Sequence, residues 1–330
     1  NQQYIGHLKG LKLELDFKSD DLDADIKSLK KAARHNVSPE IIKRILQIID
    51  TGLIELKDDF KIYWNKYPIA KLISGSDYLN PQINLIVDDM IENDEKLKLY
   101  NYLQKWINDK IKIELKSLLD LKNIKENNSE LRALSYHLYE NNGVVKRENV
   151  SSYLKKLDQE ERAKLRKIGV KFGRYHIFLF KLFKPNSVSL RILLWKIFNE
   201  KDLNLFPPTF GLNFLEDKNN ISKNFMLLCG FEKFDNFFVR IDILERLFIL
   251  IFNSDKNNNE IKLIPEMLNL LGSNKENFVK LLQKMNYKTY KKNNDIYFKY
   301  KPNNKNIRKK DKVIKTTDNP FKILSQLNLK

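Results

Sequence analysis

The amino-acid sequence predicts an α+β fold that is mostly α-helical. Long segments repeat apolar residues every three or four positions, as amphipathic helices do, and short alternating runs bounded by Gly, Asn or Pro are typical of antiparallel strands. The 330 residues, 42% of them hydrophobic, are enough for two or three cores. We expect a small N-terminal α/β unit with an antiparallel meander, a central helical domain, a C-terminal winged-helix-like domain and a basic tail. The predicted boundaries are 1–92, 93–235, 236–300 and 301–330.

The N-terminal unit opens with YIGHLKGLKLELDF, which alternates as one or two short strands do. A helix is predicted next, because the run from residue 19 begins with acids and ends with bases, as the helix dipole favours. Ser38 and Pro39 are a start signal that predicts a second, separate helix. Residues 60–87 alternate again around a turn at 65–68, which predicts the meander.

The central domain begins with a predicted long amphipathic helix from Asp94 to about Lys122. A second helix is predicted from a Ser129 cap to the turn at 141–143, and helical structure is predicted to continue beyond this turn. Another helix follows Pro185. The first helix is expected to turn one apolar stripe toward the core, and this stripe comprises Leu99, Leu103, Trp106, Ile107, Ile111, Leu115, Leu118 and Leu119. The helix after Pro185 is expected to bury Leu190, Leu193, Leu194 and Ile197.

A basic aromatic segment covers residues 162–184, with eight Lys or Arg, no acid and five interleaved Phe or Tyr. Cations neutralise phosphates and aromatic rings stack on unpaired bases, so this mixture favours single-stranded nucleic acid. A core strand or helix flanked by solvated lysines is the alternative, and the residues alone leave both interpretations open. The candidate contacts are Arg162, Arg166, Lys167, Lys171, Phe172, Arg174, Tyr175, Lys181 and Lys184.

The last third shows three helical patterns, IDILERLFILIF, LIPEMLNLLG and SNKENFVKLLQKMNY, followed by a hairpin pattern that turns at residues 293–294. This is the order of a winged-helix domain, in which the third helix can enter a groove while the hairpin touches the backbone. A packing module with solvated lysines is the alternative. The candidate contacts here are Lys280, Lys284, Lys288, Lys291, Lys292 and Lys299.

Charge is concentrated toward the C-terminus. Residues 280–315 hold 13 basic and two acidic residues and so supply +11 of the net +18. Such a charge points to nucleic acid or an anionic membrane surface. No helix pairs a basic face with an aromatic face long enough to lie in an interface, so no membrane partner is expected. The basic tail is expected to be disordered up to residue 318, with NPFKILSQL as a terminal docking segment.

Several kinds of chemistry are not expected. The single cysteine, Cys229, excludes an internal disulfide and a zinc site built on cysteine pairs, and the four histidines lack metal-site spacing. Paired acids are predicted in turns or on solvated helix faces, and no nucleophile elbow occurs. We therefore expect no catalytic residue and no metal or cofactor site in this chain. We also expect a cytoplasmic location. The first residue is Asn1 rather than Met, which suggests a piece of a longer protein.

Several segments carry a family resemblance: LRKIGVKFGRYHIFLFKLFKP followed by LRILLWKIF, with IGHLKGLKLELD, WNKYPIAKLISG and NPFKILSQL elsewhere. Together they resemble the C-terminal region of alphaproteobacterial superfamily-two DExH helicases related to the mitochondrial degradosome RNA helicase. The resemblance covers most of the chain in order, and its most specific part is residues 165–184. The chain departs from the family at Phe180, where family members have a proline.

The resemblance implies an ATP-dependent RNA helicase whose motor holds a P-loop, a DExH box and an arginine finger. None of these motifs occurs in this sequence, so ATP and Mg²⁺ are implied only for motor domains elsewhere in the same polypeptide. The chain itself would guide RNA, single-stranded rather than duplex, with DNA and a nuclease partner as open possibilities. The alternative is a freestanding basic RNA- or ribosome-associated scaffold protein without helicase activity.

Overall fold

The structure is a computed structural model that describes residues 6–15, 24–124, 128–199, 205–217, 220–254, 260–292 and 295–301. The described residues form helices and small antiparallel sheets, which confirms the mixed and mainly helical fold class. The chain divides into two compact units, 1–249 and 250–330, and each is described by itself. No helix of the described ranges is long and apolar enough to cross a membrane.

The N-terminal elements include the predicted meander. Strands β1 (Gly6–Lys9) and β2 (Lys12–Leu15) form a hairpin, and helix α1 (Ala24–Thr51) follows. The next four strands form one antiparallel sheet in the order β3-β4-β5-β6. They are β3 (Ile54–Leu56), β4 (Lys61–Trp64), β5 (Tyr67–Ile73) and β6 (Gln82–Leu85). The meander prediction is confirmed, with β3 as an addition.

The prediction of two separate helices between residues 19 and 50 is wrong, because α1 runs through Pro39 without a break. An interior proline removes a backbone hydrogen bond and costs about 3 kcal/mol. Ile41, Ile45 and Ile48 follow it at helical spacing and are buried in the core. Their burial at about 1.5–3 kcal/mol each outweighs the cost of the proline.

Two boundaries in the next segment differ from prediction. The long helix is divided at Leu115 into α2 (Asn93–Glu114) and α3 (Lys116–Lys122). Its apolar stripe is nevertheless in the core, with Trp106 and Leu119 only half-buried. Helix α4 (Ser129–Glu140) is capped by Asn128 rather than Ser129, because the Asn128 side chain accepts hydrogen bonds from two backbone N–H groups of the first turn.

From α4 onward the chain repeats one arrangement, in which a helix, a strand and further helices precede a hairpin. The first repeat begins with α4 and has the sheet order β7-β9-β8. Its later elements are β7 (Val144–Lys146), α5 (Ser151–Lys156), α6 (Gln159–Ile168), β8 (Val170–Phe172) and β9 (His176–Leu179). Continued helix was predicted at β7, but this strand forms because two β-branched valines pair with β9.

The second repeat has one helix fewer and the sheet order β10-β12-β11. Its elements are α7 (Pro185–Phe198), β10 (Phe214–Glu216), α8 (Lys223–Leu228), β11 (Phe231–Phe234) and β12 (Phe237–Arg240). Residues 93–235, predicted as a helical domain, therefore also hold strands from two sheets. The predicted apolar face of α7 is buried.

The third repeat has the sheet order β13-β15-β14, the same pattern as the first. It comprises α9 (Ile241–Asn253), β13 (Ile261–Lys262), α10 (Pro265–Leu271), α11 (Lys275–Lys284), β14 (Tyr287–Lys292) and β15 (Asp295–Tyr300). The three predicted helices and the hairpin strands are confirmed, and β13 is an addition. The predicted turn at 293–294, the docking segment and all of the tail after Lys301 lie outside the described residues.

One buried charge fixes a turn that matters below. Arg191 on α7 is fully buried, and its guanidinium donates hydrogen bonds to the carbonyl oxygens of Asn142 at 2.8 Å and Leu182 at 2.7 Å. Leu182 belongs to a 3-10 turn, Phe180–Phe183, between β9 and α7. Arg191 therefore ties this turn to the end of α4 through backbone acceptors.

Candidate nucleic-acid interface

The basic aromatic segment combines both interpretations that the sequence left open. Its central strand, β9, is buried at all four residues, as a core strand is. The cationic residues before and after β9 are mostly exposed: Arg166, Lys167, Lys171, Lys181 and Lys184. The apolar run therefore anchors the segment, and the residues on either side of it are accessible to a ligand.

The end of α6 places two of these cations. A capping box between Asp158 and Glu161 begins the helix, and Gly169 ends it with a left-handed backbone at φ 114°. Arg166 and Lys167 lie in the last turn, where the helix dipole favours cations. The Arg166 guanidinium lies 5.5 Å from the Phe172 ring, within the range of a cation–π contact.

The 3-10 turn brings further cations and an aromatic ring to the same place. Phe180 is 40% exposed, and the Lys171 Nζ lies 5.1 Å from the centroid of its ring. A Cβ atom added to Gly169 would lie 3.6 Å from Phe180 and 3.7 Å from Lys181, so both side chains lie beside the end of α6. We call this area the α6–turn surface. It comprises Arg166, Lys167, Lys171, Phe180 and Lys181.

Arg162 and Tyr175 have structural contacts instead. The Arg162 guanidinium is half-buried and donates a hydrogen bond to the Leu154 carbonyl at 2.7 Å, which joins α5 to α6. The Tyr175 ring packs on Phe248 with centroids 4.4 Å apart, so one face of the ring is occupied. Arg174 is exposed at the tip of the hairpin, and its guanidinium lies 5.9 Å from the Tyr175 ring.

A buried acid holds this hairpin tip. The Glu245 carboxylate on α9 accepts hydrogen bonds from the backbone N–H groups of Arg174, Tyr175 and His176. Gly173 allows the close approach, since a Cβ atom there would lie 2.4 Å from the Glu245 carboxyl carbon. The backbone of the tip is therefore held by Glu245, in addition to the contact of the Tyr175 ring with Phe248.

His176 extends this contact into a buried network. Its Nδ1 lies 3.3 Å from Glu245 and its Nε2 lies 3.2 Å from Glu232, which also pairs with Lys146 at 2.9 Å. Burial opposes the charged ring, but the two carboxylates outweigh it and raise the pKa of His176. Burial likewise opposes ionisation of Glu232, but His176 and Lys146 lower its pKa. The network is thus a set of compensated buried charges.

A small apolar cluster covers the outer face of the sheet β7-β9-β8. Val144 and Phe178 pair across β7 and β9, and both are buried against Ile241. Phe183 and Leu227 pack around this small cluster. Both faces of the first repeat's sheet are therefore buried, which explains why β9 is apolar without alternation.

The six predicted lysines of the third repeat are all exposed, but they lie on different surfaces. Lys280 and Lys284 are one turn apart on α11. On the sheet, Phe298 faces the helices, since it packs on Phe278 with ring centroids 6.3 Å apart. Successive strand residues alternate in direction, so Lys299 and its cross-strand partner Lys288 lie on the outer face.

Lys292 also points outward, whereas Lys291 lies on the face of the helices by the same alternation. Lys292 pairs with Glu260 at 3.3 Å. Three other residues lie on the outer face and were not among the predicted contacts: Lys262, Tyr290 and Tyr297. The period of two in YKTYKK and DIYFKY would have identified both tyrosines, because they share the direction of Lys288 and Lys299.

Within the described ranges, no group of three His, Cys, Asp or Glu side chains is arranged to hold a metal ion. The arrangement instead offers exposed cations beside aromatic rings on two surfaces, which suits phosphates and bases. Comparison with known proteins adds no relative: no protein-family model, curated protein or solved structure matches this chain.

Proposed function

We propose that this chain is the accessory, nucleic-acid-binding part of an ATP-dependent RNA helicase and guides single-stranded RNA for a motor whose motifs it does not contain. The observation that carries the proposal is the α6–turn surface. It has four exposed cations and the exposed ring of Phe180, with the Lys171 Nζ 5.1 Å from the centroid of that ring, in a segment without any acid from residue 162 to 184. The most specific part of the resemblance to degradosome-type helicases lies in the same segment, although Phe180 is where the chain departs from the family.

The chemistry of this surface favours single strands. Lys and Arg contact phosphates of any sequence, and an exposed ring accepts an unpaired base at about 1–3 kcal/mol. Duplex bases are already stacked and cannot reach Phe180 without unpairing. We therefore expect contacts to the backbone and to stacked bases, with little readout of base sequence.

The winged-helix-like assignment of the C-terminal region belongs to this proposal. Its support is the order α9, β13, α10, α11, β14, β15 and the pairing of β13 with β15. The first repeat has the same order and the same strand pairing, so we extend the assignment to residues 129–179. In both repeats the third helix and the hairpin carry predicted contacts.

ATP and Mg²⁺ enter the proposal only through the helicase resemblance, whereas the cytoplasmic location is a prediction from the sequence itself. ATP and Mg²⁺ would be bound by the motor domains, and a nuclease would be a partner of the whole helicase. This chain's contribution would be a basic path for the strand that leaves the motor.

The decisive experiment is fluorescence-anisotropy binding to a labelled single-stranded RNA, the matching DNA and a duplex, over a salt series. The test variant is Arg166→Glu/Lys171→Glu/Lys181→Glu. We expect salt-sensitive binding of single strands by the wild type and at least about tenfold weaker binding by the variant, because three phosphate contacts become repulsive.

The matched control is Lys43→Glu/Lys66→Glu/Lys71→Glu, which replaces three exposed lysines of the N-terminal elements and changes the net charge by the same amount. A general charge effect would weaken binding equally in both triple variants, and this result would contradict the assignment of the surface. Wild-type protein that does not bind at low salt would contradict the function itself.

The scaffold alternative has one specific observation in its favour. The loop of residues 205–212 exposes Phe206 by 68% and Phe210 by 49%. A cleft of about 280 Å³ lies between this loop and α7, lined in part by Phe60, Ile192 and Lys196. Exposed apolar patches mark protein contacts. A motor sequence upstream in the same reading frame would decide for the helicase.

A further inference from the structure

The outer face of the sheet β13-β15-β14 combines aromatic rings with cations. Tyr290 and Tyr297 stand directly opposite each other on β14 and β15, and both are half-buried. Their rings are nearly parallel, at 14°, with centroids 6.2 Å apart. The Lys292 Nζ lies 5.7 Å from the centroid of the Tyr297 ring. An ammonium group thus lies over one of two neighbouring rings.

The next cross-strand pair on this face consists of two cations. Lys288 and Lys299 are opposite each other and exposed. Two ammonium groups on neighbouring strands suit a phosphate, which carries the opposite charge. The face holds four lysines and two carboxylates. Lys262 pairs with Asp295 at 2.5 Å, and Lys292 pairs with Glu260.

Tyr290 is half-buried beside the Glu260 carboxylate before any ligand binds. Burial, with the Glu260 carboxylate beside the hydroxyl, raises the pKa of Tyr290 to about 12. The hydroxyl oxygen is itself buried, so packing restricts the Tyr290 side chain. A ring that is already ordered loses little freedom on binding, which favours affinity.

We propose that this outer face binds single-stranded RNA, with two bases stacked on Tyr290 and Tyr297 and the adjoining phosphates held by Lys288 and Lys299. We call it the tyrosine face. The inference rests on the proposed function and adds a second RNA-binding surface to it. Lys280 and Lys284 lie on α11, on the other side of this sheet, and do not reach the same phosphates.

The test uses the whole chain and two labelled probes. One is an oligouridine RNA of about 12 nucleotides, which is within the usual site size for single-strand binding. The other is an abasic strand of the same length, which keeps the phosphates and lacks the bases. Tyr290→Leu/Tyr297→Leu is expected to bind the RNA about tenfold or more weakly, with unchanged affinity for the abasic strand and an unchanged salt slope.

Two charge variants provide the contrast. Lys288→Gln/Lys299→Gln is expected to weaken binding of both probes and to reduce the salt slope by about 1.4, that is 0.7 per phosphate contact. Lys280→Gln/Lys284→Gln removes the same charge from the opposite side and is expected to weaken binding of both probes less than Lys288→Gln/Lys299→Gln does. Tyr290→Phe/Tyr297→Phe keeps both rings and is expected to bind RNA as the wild type does.

Melting curves establish that each variant folds. Photocrosslinking of the wild type to 5-iodouridine RNA, mapped by mass spectrometry, tests the same contact without a mutation and should label Tyr290 or Tyr297. Wild-type binding with unaffected leucine variants, or crosslinks only elsewhere, overturns the tyrosine face and leaves the proposed function standing. A wild type that binds neither probe overturns both.

Discussion

The sheets β7-β9-β8 and β13-β15-β14 have the same strand order within the same succession of helices and strands, but their outer faces have opposite environments. On the last strand of the first sheet, the outward residues His176 and Phe178 are buried. The equivalent positions of the other sheet hold Tyr297, which is half-buried, and Lys299, which is exposed. One face packs against protein and the other is open to a ligand.

This difference shows that topology does not decide which surface of a repeat binds nucleic acid. The decision lies in the residues at alternate strand positions. The strand HIFL is apolar at every position because both of its faces are covered. The strand DIYFKY alternates apolar and polar residues because one of its faces is open. Where a strand is apolar throughout, only the basic residues before and after it are accessible to a ligand. Where basic residues alternate with apolar ones, one whole face of the strand is accessible.

Exchanging residues at the equivalent positions should have the largest effect on stability. Phe178→Lys places an ammonium group in a buried apolar cluster, and we expect a loss of at least about 4 kcal/mol in the free energy of unfolding. Lys299→Phe lies on an open face and should leave unfolding unchanged while weakening RNA binding. Urea unfolding of both variants measures the contrast. Similar losses in the two variants would mean that the two faces do not differ.

Removing the acid that holds the first hairpin comes next. Glu245→Leu leaves three backbone N–H groups and the His176 ring without their acceptor, which should cost about 3–5 kcal/mol. Glu245→Gln keeps one acceptor oxygen and should lose less. Thermal melts of the two variants provide the ranking. A negligible loss of stability in the leucine variant would argue against a structural role of the carboxylate.

The pH dependence of stability follows from His176. Its pKa is raised above the ordinary value of 6.5, so the charged ring stabilises the fold fully below pH 6.5 and loses this contribution as the pH rises through the folded-state pKa. The lowered pKa of Glu232 acts in the opposite direction, and its contribution is present above pH 4.5 and is lost as the pH falls from there through the folded-state pKa. Melting temperatures at pH 6, 7 and 8 should fall more steeply in the wild type than in His176→Gln.

The smallest expected difference concerns two lysines at equivalent positions on the first strand of each sheet. Lys146→Gln removes one of the two partners of the buried Glu232 and should cost about 1 kcal/mol, a value that already allows for the 39% exposure of Lys146. Lys262→Gln breaks an exposed pair with Asp295 and should not change stability measurably. Equal effects in urea unfolding would remove this part of the contrast.

The sequence was sufficient for features that depend on local pattern. The meander, the apolar stripe of α2 and the helix order of the last third follow from periodicity and are present in the structure. The uninterrupted α1 was missed because buried isoleucines after Pro39 outweigh a local breaker. Strand β7 was missed because three residues carry little pattern, and its partner β9 lies about 30 residues further along the chain.

The candidate sites divide in the same way. Exposure of Arg166, Lys171 and Lys181 agrees with their charge. The contacts of Arg162 and Tyr175 were not visible in the sequence, because a carbonyl oxygen and a residue of α9 supply them. The direction of Tyr290 could have been inferred from strand alternation, which fixes the face of each residue once the pairing is known.

The separation between Glu245 and the hairpin that it holds has a consequence for synthesis on the ribosome. About 70 residues lie between the two, and translation adds roughly 5–20 residues per second. The hairpin of the first repeat therefore emerges several seconds before its anchor. During this interval Val144 and Phe178 lack their contact with Ile241, so a nascent chain that stalls before α9 presents a partly exposed apolar face to chaperones and to other nascent chains.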